Sequence, residues 1–373
     1  MKKILFLGPK SPPVTGYSNI VTALSQCLTK EGSSVMYIST VPSILAHLFP
    51  NASWKISRLI FLFLLFPFVI LLMPFNSILY LNINGGFGQL FDCLFSLVGR
   101  VFGKGIVLHH NSYGYINQRK WLAQLLFFIA GRKAKHVVNC EDMKRKLVSR
   151  YKCVNNVHLV SNVSILTMRD PDCFDFSTRI ASELDSTINK DILTLGFMGY
   201  FNHEKGVDTF SNVVKQLDDY ETDRVKGIAV GPIYDKDLVE NLKHEYGKLI
   251  EFSPPVFGEK RDDFFNEIDV LLFPSRYLNE AEPLTIHHAL SAGVPVISTD
   301  IGCLNEILNR FPDSYSFSID NYLSGSKEVI NKMLSKNYAE RVALRVELKS
   351  SYDTYSKENV KNFKITLARL GVI

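Results

Sequence analysis

The absences in this chain narrow its chemistry first. Its six cysteines (Cys27, Cys93, Cys140, Cys153, Cys173 and Cys303) show no metal-type spacing and no paired Cys-x-x-Cys. A zinc or dithiol centre is therefore not what organises the fold, and the plain reading is reduced, structural thiols in a cytoplasmic chain. There is no P-loop and no Ser-centred elbow, which sets aside the common NTPase and serine-hydrolase chemistries. Charge of one sign is lacking too: 42 Lys and Arg face 37 Asp and Glu, a net charge of +5. That balance suits phosphate ligands or anionic lipid. It is not the concentrated charge of a nucleic-acid binder, so no nucleic-acid partner is expected. A secretory leader is not expected either, because only Ile-Leu-Phe-Leu-Gly follows the first three residues before a Gly-Pro loop.

What is present is a long, apolar chain. With 373 residues and 46% hydrophobic side chains, it has room for two ordinary domains with substantial cores. Short apolar runs alternate with helical stretches. Residues 4–7, 34–39, 78–83, 105–110, 136–140 and 157–162 read as strands, and a second series begins at 192–199 and continues through 226–231, 249–252, 270–274 and 294–298. Between the series, 163–190 is polar and loses the pattern. This alternation predicts an α/β fold of two doubly wound, Rossmann-like parallel sheets. The expected partition is a first domain over 1–165, a linker region over 166–190, a second domain over 191–350 and a terminal helix over 351–373. From about Lys327 to Leu370 the chain reads as helical and charged.

One run stands apart. Residues 59–73 contain no polar side chain. Fifteen helical residues reach roughly 22 Å, short of the ~30 Å hydrocarbon core, and Pro67 is expected to kink or break the helix. Two readings stay open: a helix buried in the core or at a dimer contact, or peripheral docking at a membrane, for which Trp54, Lys55 and Arg58 form an interfacial flank.

The richest stretch is 273–299, which reads as strand, polar loop, helix, Gly-turn, strand. Glu280 precedes the helix, Pro283 suits its first turn, and the free N–H groups at Leu284 and Thr285 would favour a phosphate. A second strand–loop–helix runs from 192 through Gly199 and Lys205. Each singled-out residue has a bland alternative: a solvated loop lysine for Lys205, a helix-start carboxylate for Glu280, a structural helical histidine for His288, an ordinary glycine turn around Gly86. His287 and His288 have no metal-ligand spacing with other His or Cys, so no metal is expected.

Residues 280–297 resemble the signature of retaining glycosyltransferases of family 4, which have the GT-B fold. That signature has two glutamates eight positions apart, then Ala-x-x-x-Gly-x-Pro-Val. Here Glu280, Ala289, Gly293, Pro295 and Val296 match, while the second glutamate is replaced by His288. The resemblance implies two domains facing a cleft, with the last helix returning to the first domain. It also implies sugar transfer from a nucleotide-sugar donor to a glycan or lipid-linked acceptor, with no cofactor or metal.

By the same resemblance, Glu280 contacts the transferred sugar and Lys205, in the Glu-Lys-Gly of 204–206, holds the donor diphosphate. The family's arginine partner after Gly199 is Tyr200 here, and Arg276 is the candidate substitute. Glu282 competes with Glu280 but falls outside the register. His288 stands where the ribose hydroxyls are held, Val256 lies in the loop that reads the base, and Gly16 lies in the glycine loop facing the donor phosphate. A family histidine near the donor sugar corresponds to His109 or His110, with His110 preferred. His109, Asn111 and Gly86 line the acceptor side.

Overall fold

The computed structural model describes residues 1–49, 51–171, 192–218 and 224–373. Most of the expected linker region thus lies outside the described residues. Its first part does not: Asn162–Arg169 is a helix, capped by the Ser161 side chain at the Val163 N–H. Cys27 Sγ donates to the carbonyl of Ile165 at 3.3 Å, so this helix packs on the chain's first helix, Gly16–Lys30.

Two six-stranded sheets form the body. The first contains β1 (Lys3–Gly8), β2 (Ser34–Ser39), β3 (Ile78–Asn82), β4 (Gly105–His109), β5 (Lys135–Val138) and β6 (Val157–Leu159), in the spatial order β2-β1-β3-β4-β5-β6. The second contains β7 (Leu193–Met198), β8 (Val225–Val230), β9 (Ile250–Ser253), β10 (Val270–Phe273), β11 (Val296–Thr299) and β12 (Tyr315–Phe317), in the order β12-β11-β10-β7-β8-β9. Every strand pairing is parallel. Parallel strands covered on both faces must be apolar along their length, and Ile4 to Leu7, Leu79 to Leu81 and Val270 to Phe273 are all buried. β12 escapes a sequence reading because Tyr-Ser-Phe is too short and too polar to stand out.

The chain divides into two compact units. One takes 1–173, 279–282 and 356–373; the other takes 174–278 and 283–355. The short insert 279–282 is not anticipated by any sequence pattern. The terminal stretch, read as helical, is two helices, Tyr322–Ser335 and Tyr338–Leu370. In the first unit, the chain end is tied down by Lys135 Nζ donating to the carbonyls of Arg369 and Leu370 at 2.9 and 2.8 Å.

The apolar run corrects its expectation. The helix spans Ala52–Leu72, 21 residues, with Pro67 inside it. Over Ala52–Phe75 it is long and apolar enough to cross a membrane by length and composition. The expected shortness counted only the residues lacking polar side chains; Trp54, Lys55 and Arg58 belong to the same helix. Proline removes one backbone donor, and the surrounding turns keep theirs.

Candidate donor-side loops and first-unit strand ends

In the second sheet the strand order reverses between β7 and β10. Ligands of parallel sheets bind outside the carboxyl ends of the strands at such a point. The loop after β7, 199–206, and the loop after β10, 274–278, are locked together at the backbone. Arg276 N–H donates to the Glu204 carbonyl at 2.7 Å. Gly206 has φ +80°, and a Cβ there would meet the Pro274 carbonyl oxygen at 2.2 Å. Glycine is demanded twice over, by the left-handed backbone and by the contact. Gly199 donates its N–H to the Val230 carbonyl at 3.1 Å. Its own oxygen sits where a Cβ on Gly231 would be.

This clamp delivers Lys205. Its backbone N–H donates to Asn202 Oδ1 at 2.8 Å, which sets the turn, and its half-buried side chain places Nζ 4.9 Å from the Tyr277 ring centroid. An ammonium over an aromatic face is attracted by the negative face of the ring. Arg276, the expected substitute cation, is committed elsewhere. Its guanidinium donates to Asp208 Oδ2 at 3.0 Å, to the His203 carbonyl at 3.1 Å and to Thr209 Oγ1. Burial alone would raise the Asp208 carboxyl, and hydrogen bonds from Arg276 and His203 more than reverse this, leaving it below the ordinary range. Arg276 therefore braces the start of the Val207–Asp218 helix. Its charge is largely spent on Asp208.

Downstream, Pro283 is the N-cap of the helix Leu284–Ser291 rather than a first-turn residue, and no side chain caps that end. Leu284 and Thr285 are half-buried. His288 faces Arg261, whose Nη1 lies 3.4 Å from His288 Nε2. For that contact to be a hydrogen bond, Nε2 must be the unprotonated acceptor. Arg261 sits in the first turn of the helix Glu259–Glu267, just beyond the exposed loop that contains half-buried Val256. Sequence reasoning missed Arg261, because an arginine among charged helical neighbours carries no distinguishing signal.

The segment 279–282 groups with the first unit. Its two glutamates differ in burial. Glu282 is 5% exposed. Its carboxylate accepts from Ser161 Oγ and from the Asn162 N–H at 2.7 Å, and its carbonyl accepts from Asn162 Nδ2 at 2.9 Å. It is thus an anionic cap for the Asn162–Arg169 helix. Glu280, two residues earlier, is only half-buried.

At the C-terminal ends of the first sheet, His109 and His110 are both fully buried. His110 Nδ1 meets Tyr115 Oη and Nε2 meets His136 Nδ1, each at 3.0 Å, among Phe127 and Tyr151. Both ring nitrogens are spent on the core, which reverses the preference for His110 as a reacting group. His109 uses Nδ1 with Tyr80 Oη at 3.0 Å and leaves Nε2 without a hydrogen-bond partner in the protein. Asn111 Nδ2 is likewise unpartnered. Burial pushes His109 and His136 down to about 3. Burial, with His136 and His109 nearby, pushes His110 well below its ordinary value. Close by, burial raises Asp92 to about 7, against hydrogen bonds from Asn84 N–H at 2.8 Å and Asn84 Nδ2 at 2.6 Å.

The two glycines of this side differ. Gly86 has φ +55°, so its turn alone accounts for it. Gly16 opens the first helix, and a Cβ there would meet nothing within 4 Å; the protein's own packing does not require glycine at 16. Asp235 accepts from Leu238 N–H at 3.0 Å, which makes it a helix cap. Among the described residues no group of three or more His, Cys, Asp or Glu is placed to hold a metal ion.

Comparison with known proteins bears on the fold. Residues 192–326 match the family model described as glycosyl transferases group 1. An uncharacterized 41.2 kDa protein in the cps region of Klebsiella pneumoniae is 26% identical over 273 residues, 70% of each chain. Anabaena HepE, solved in complex with UDP, aligns with a TM-score of 0.68 at 14% identity, over 98% of this chain and 100% of that one. Sucrose-phosphate synthase from Thermosynechococcus elongatus gives 0.66 at 15% identity, over 99% and 98%. At such identities these structures speak to fold. Residues 192–326 accordingly match a group 1 glycosyltransferase model, within a chain that has the GT-B fold.

Proposed function

We propose that this protein is a retaining glycosyltransferase of the family 4 type, moving a hexose-type sugar from a nucleotide-sugar donor to a glycan or lipid-linked acceptor in bacterial surface-polysaccharide synthesis. The observation that carries the reading is the clamp between the β7 and β10 loops, which presents Lys205 at the reversal of the second sheet. The relative from a cps region supports the capsule setting, and HepE was solved with UDP and with UDP-glucose.

In this reading Lys205 and the uncapped amides at Leu284 and Thr285 neutralise the departing diphosphate. Preorganised donors of this kind are worth about 3–4 kcal/mol each in acyl-transfer enzymes. The bond between the anomeric carbon and the phosphate oxygen breaks, and the acceptor oxygen bonds to that carbon on the same face. The acceptor proton passes to the leaving phosphate oxygen. Glu280 contacts the transferred sugar, His288 with Arg261 takes the ribose, and Val256 belongs to the base loop. Gly16 leaves room for the donor phosphate, and His109 offers a neutral Nε2 toward the sugar. No metal or other cofactor is assigned a role, and the cytoplasmic face of the membrane is the place where donor and lipid-linked acceptor would meet.

A second reading, a nucleotide-sugar-binding subunit without transfer, is motivated by Tyr200 and by the commitment of Arg276 to Asp208. One experiment separates them. A thermal-shift screen against nucleoside diphosphates and nucleotide sugars identifies the donor, since ligand at 100 times its Kd adds about 2.7 kcal/mol. Product analysis with that donor and polysaccharide-repeat acceptors then reads transfer and anomeric configuration. An inverted product refutes retention; binding without product favours the second reading.

A further inference from the structure

Three helices of the first unit carry a surface that water-facing proteins seldom keep. Ala52–Leu72, Gln89–Val101 and Trp121–Ala130 each lead into one of the adjacent strands β3, β4 and β5. They lie side by side. The Phe66 and Phe95 rings are 6.2 Å apart, and Cys93 Sγ approaches the Leu122 carbonyl at 3.9 Å. Their ends are stitched together: Lys104 Nζ donates to the Pro74 carbonyl at 3.1 Å, and Arg100 Nη1 donates to the carbonyls of Phe128 and Ile129 at 3.3 and 3.0 Å. The inner sides bury Leu62, Val69, Phe95 and Leu126. The outer sides leave Phe63, Phe68, Leu71, Val101, Trp121 and Phe128 between 60% and 75% exposed. A layer with apolar residues on both faces has a second partner to find.

Charge says which partner. Between Glu31 and Glu141 the chain holds one carboxylate, Asp92, and that one is buried and bonded to Asn84. Over 52–133 there are eight Lys and Arg, and Lys55, Arg100, Arg119, Lys120, Arg132 and Lys133 are exposed. A second copy of this chain docked by a two-fold axis would set like charges against each other. An anionic lipid surface would meet apolar side chains with acyl chains and the cations with headgroups.

Length permits the 52–72 helix to span, but its connections do not. It leaves from β2 and returns to β3, two strands of one sheet separated only by β1. Trp54, Leu62, Leu65, Val69 and Met73 are buried. The helix therefore stays flat on the sheet. We propose that the outer face of these three helices is an in-plane docking surface for a membrane rich in anionic phospholipid. This is independent of the transferase reading, because lipid binding is measured without turnover.

The test uses the full chain and vesicles of phosphatidylethanolamine with phosphatidylglycerol, against vesicles of phosphatidylcholine alone. Flotation should recover at least tenfold more protein on the anionic vesicles, and less as salt rises. The triple substitution Phe63→Ser, Leu71→Ser, Phe128→Ser should cut binding at least tenfold. Should that variant fail to fold, the charge set Lys55→Glu, Arg132→Glu, Lys133→Glu decides, with the same expected loss and an unchanged Tm. In a Trp54→Phe background, brominated lipid should quench the remaining Trp121. Wild-type protein that stays in the soluble fraction, binding that survives both sets, or Trp121 left unquenched would overturn the proposal. So would a lipid-independent dimer that the apolar substitutions dissociate.

Discussion

The two sheets share an architecture and differ on the outside. Both are six-stranded, parallel and reversed once in strand order. The second unit clothes its sheet with helices such as Lys236–Tyr246 and Glu259–Glu267, whose outer positions are charged. In the first unit, the helices before β3, β4 and β5 are apolar outward as well as inward. The strand ends differ in the opposite sense. The second sheet holds a half-buried lysine over Tyr277, whereas the first buries three imidazoles and a carboxyl. The lesson is that buried runs determine the sheet, and the residues free of that duty record what each half is for.

The largest expected effect tests the imidazole cluster. His109 and His136 are held at about 3 and His110 well below its ordinary value, so the folded state refuses protons that the unfolded chain accepts. The stability they contribute is present above the unfolded value near 6.5 and lost as pH falls below it; at pH 5 the loss is about 2 kcal/mol for each of His109 and His136, and His110 adds to it in the same direction. Asp92, raised to about 7, acts oppositely. It keeps a proton that the unfolded chain has released, and so returns roughly 2–3 kcal/mol between pH 7.5 and 5. The three imidazoles together outweigh Asp92, so the net is a loss of stability over that interval. Both tryptophans, Trp54 and Trp121, belong to the first unit, so urea titrations read by tryptophan emission report that half. An emission midpoint unchanged from pH 7.5 to 5 would contradict the cluster.

Next is Lys205→Ala, expected to lower transfer a hundredfold or more through loss of a cation aimed at developing phosphate charge. Unchanged steady-state kinetics at saturating donor and acceptor would remove Lys205 from the mechanism and blur the contrast between the two sheets. Glu282→Ala should cost about 2 kcal/mol of stability, because Asn162 N–H and Ser161 Oγ lose a buried anionic acceptor. Chemical denaturation checks it, and a neutral result would mean that the insert 279–282 is not held by this cap. The smallest effect belongs to His288→Glu. It restores the family carboxylate beside Arg261 and should keep or improve donor affinity by about 0.5–1.5 kcal/mol. Titration calorimetry showing nucleotide binding abolished in a folded variant would assign His288 a role of its own.

Much of the fold was legible because parallel strands advertise themselves. Runs such as Val270–Phe273 are bounded by turns and apolar throughout. The 52–72 helix was read too short, since a search for unbroken apolarity stops at Arg58, and a charged side chain can sit at a helix edge while its backbone stays helical. The glutamates at 280 and 282 show the same limit in the site. Register pointed to Glu280, and only the hydrogen bonds of Glu282 show why the other carboxylate is there.

The sequence by itself determined the two alternating sheets, the glycine after Lys205 and the apolar excess of the first half, because each depends on local pattern: period, turn chemistry and composition. Tertiary structure decided the rest. It spent Arg276 on Asp208, brought Arg261 to His288, closed both nitrogens of His110 and left Nε2 of His109 open. It also laid three separate helices into one apolar face. Those outcomes rest on which side chains, distant along the chain, come within bonding distance, and no local pattern encodes that distance.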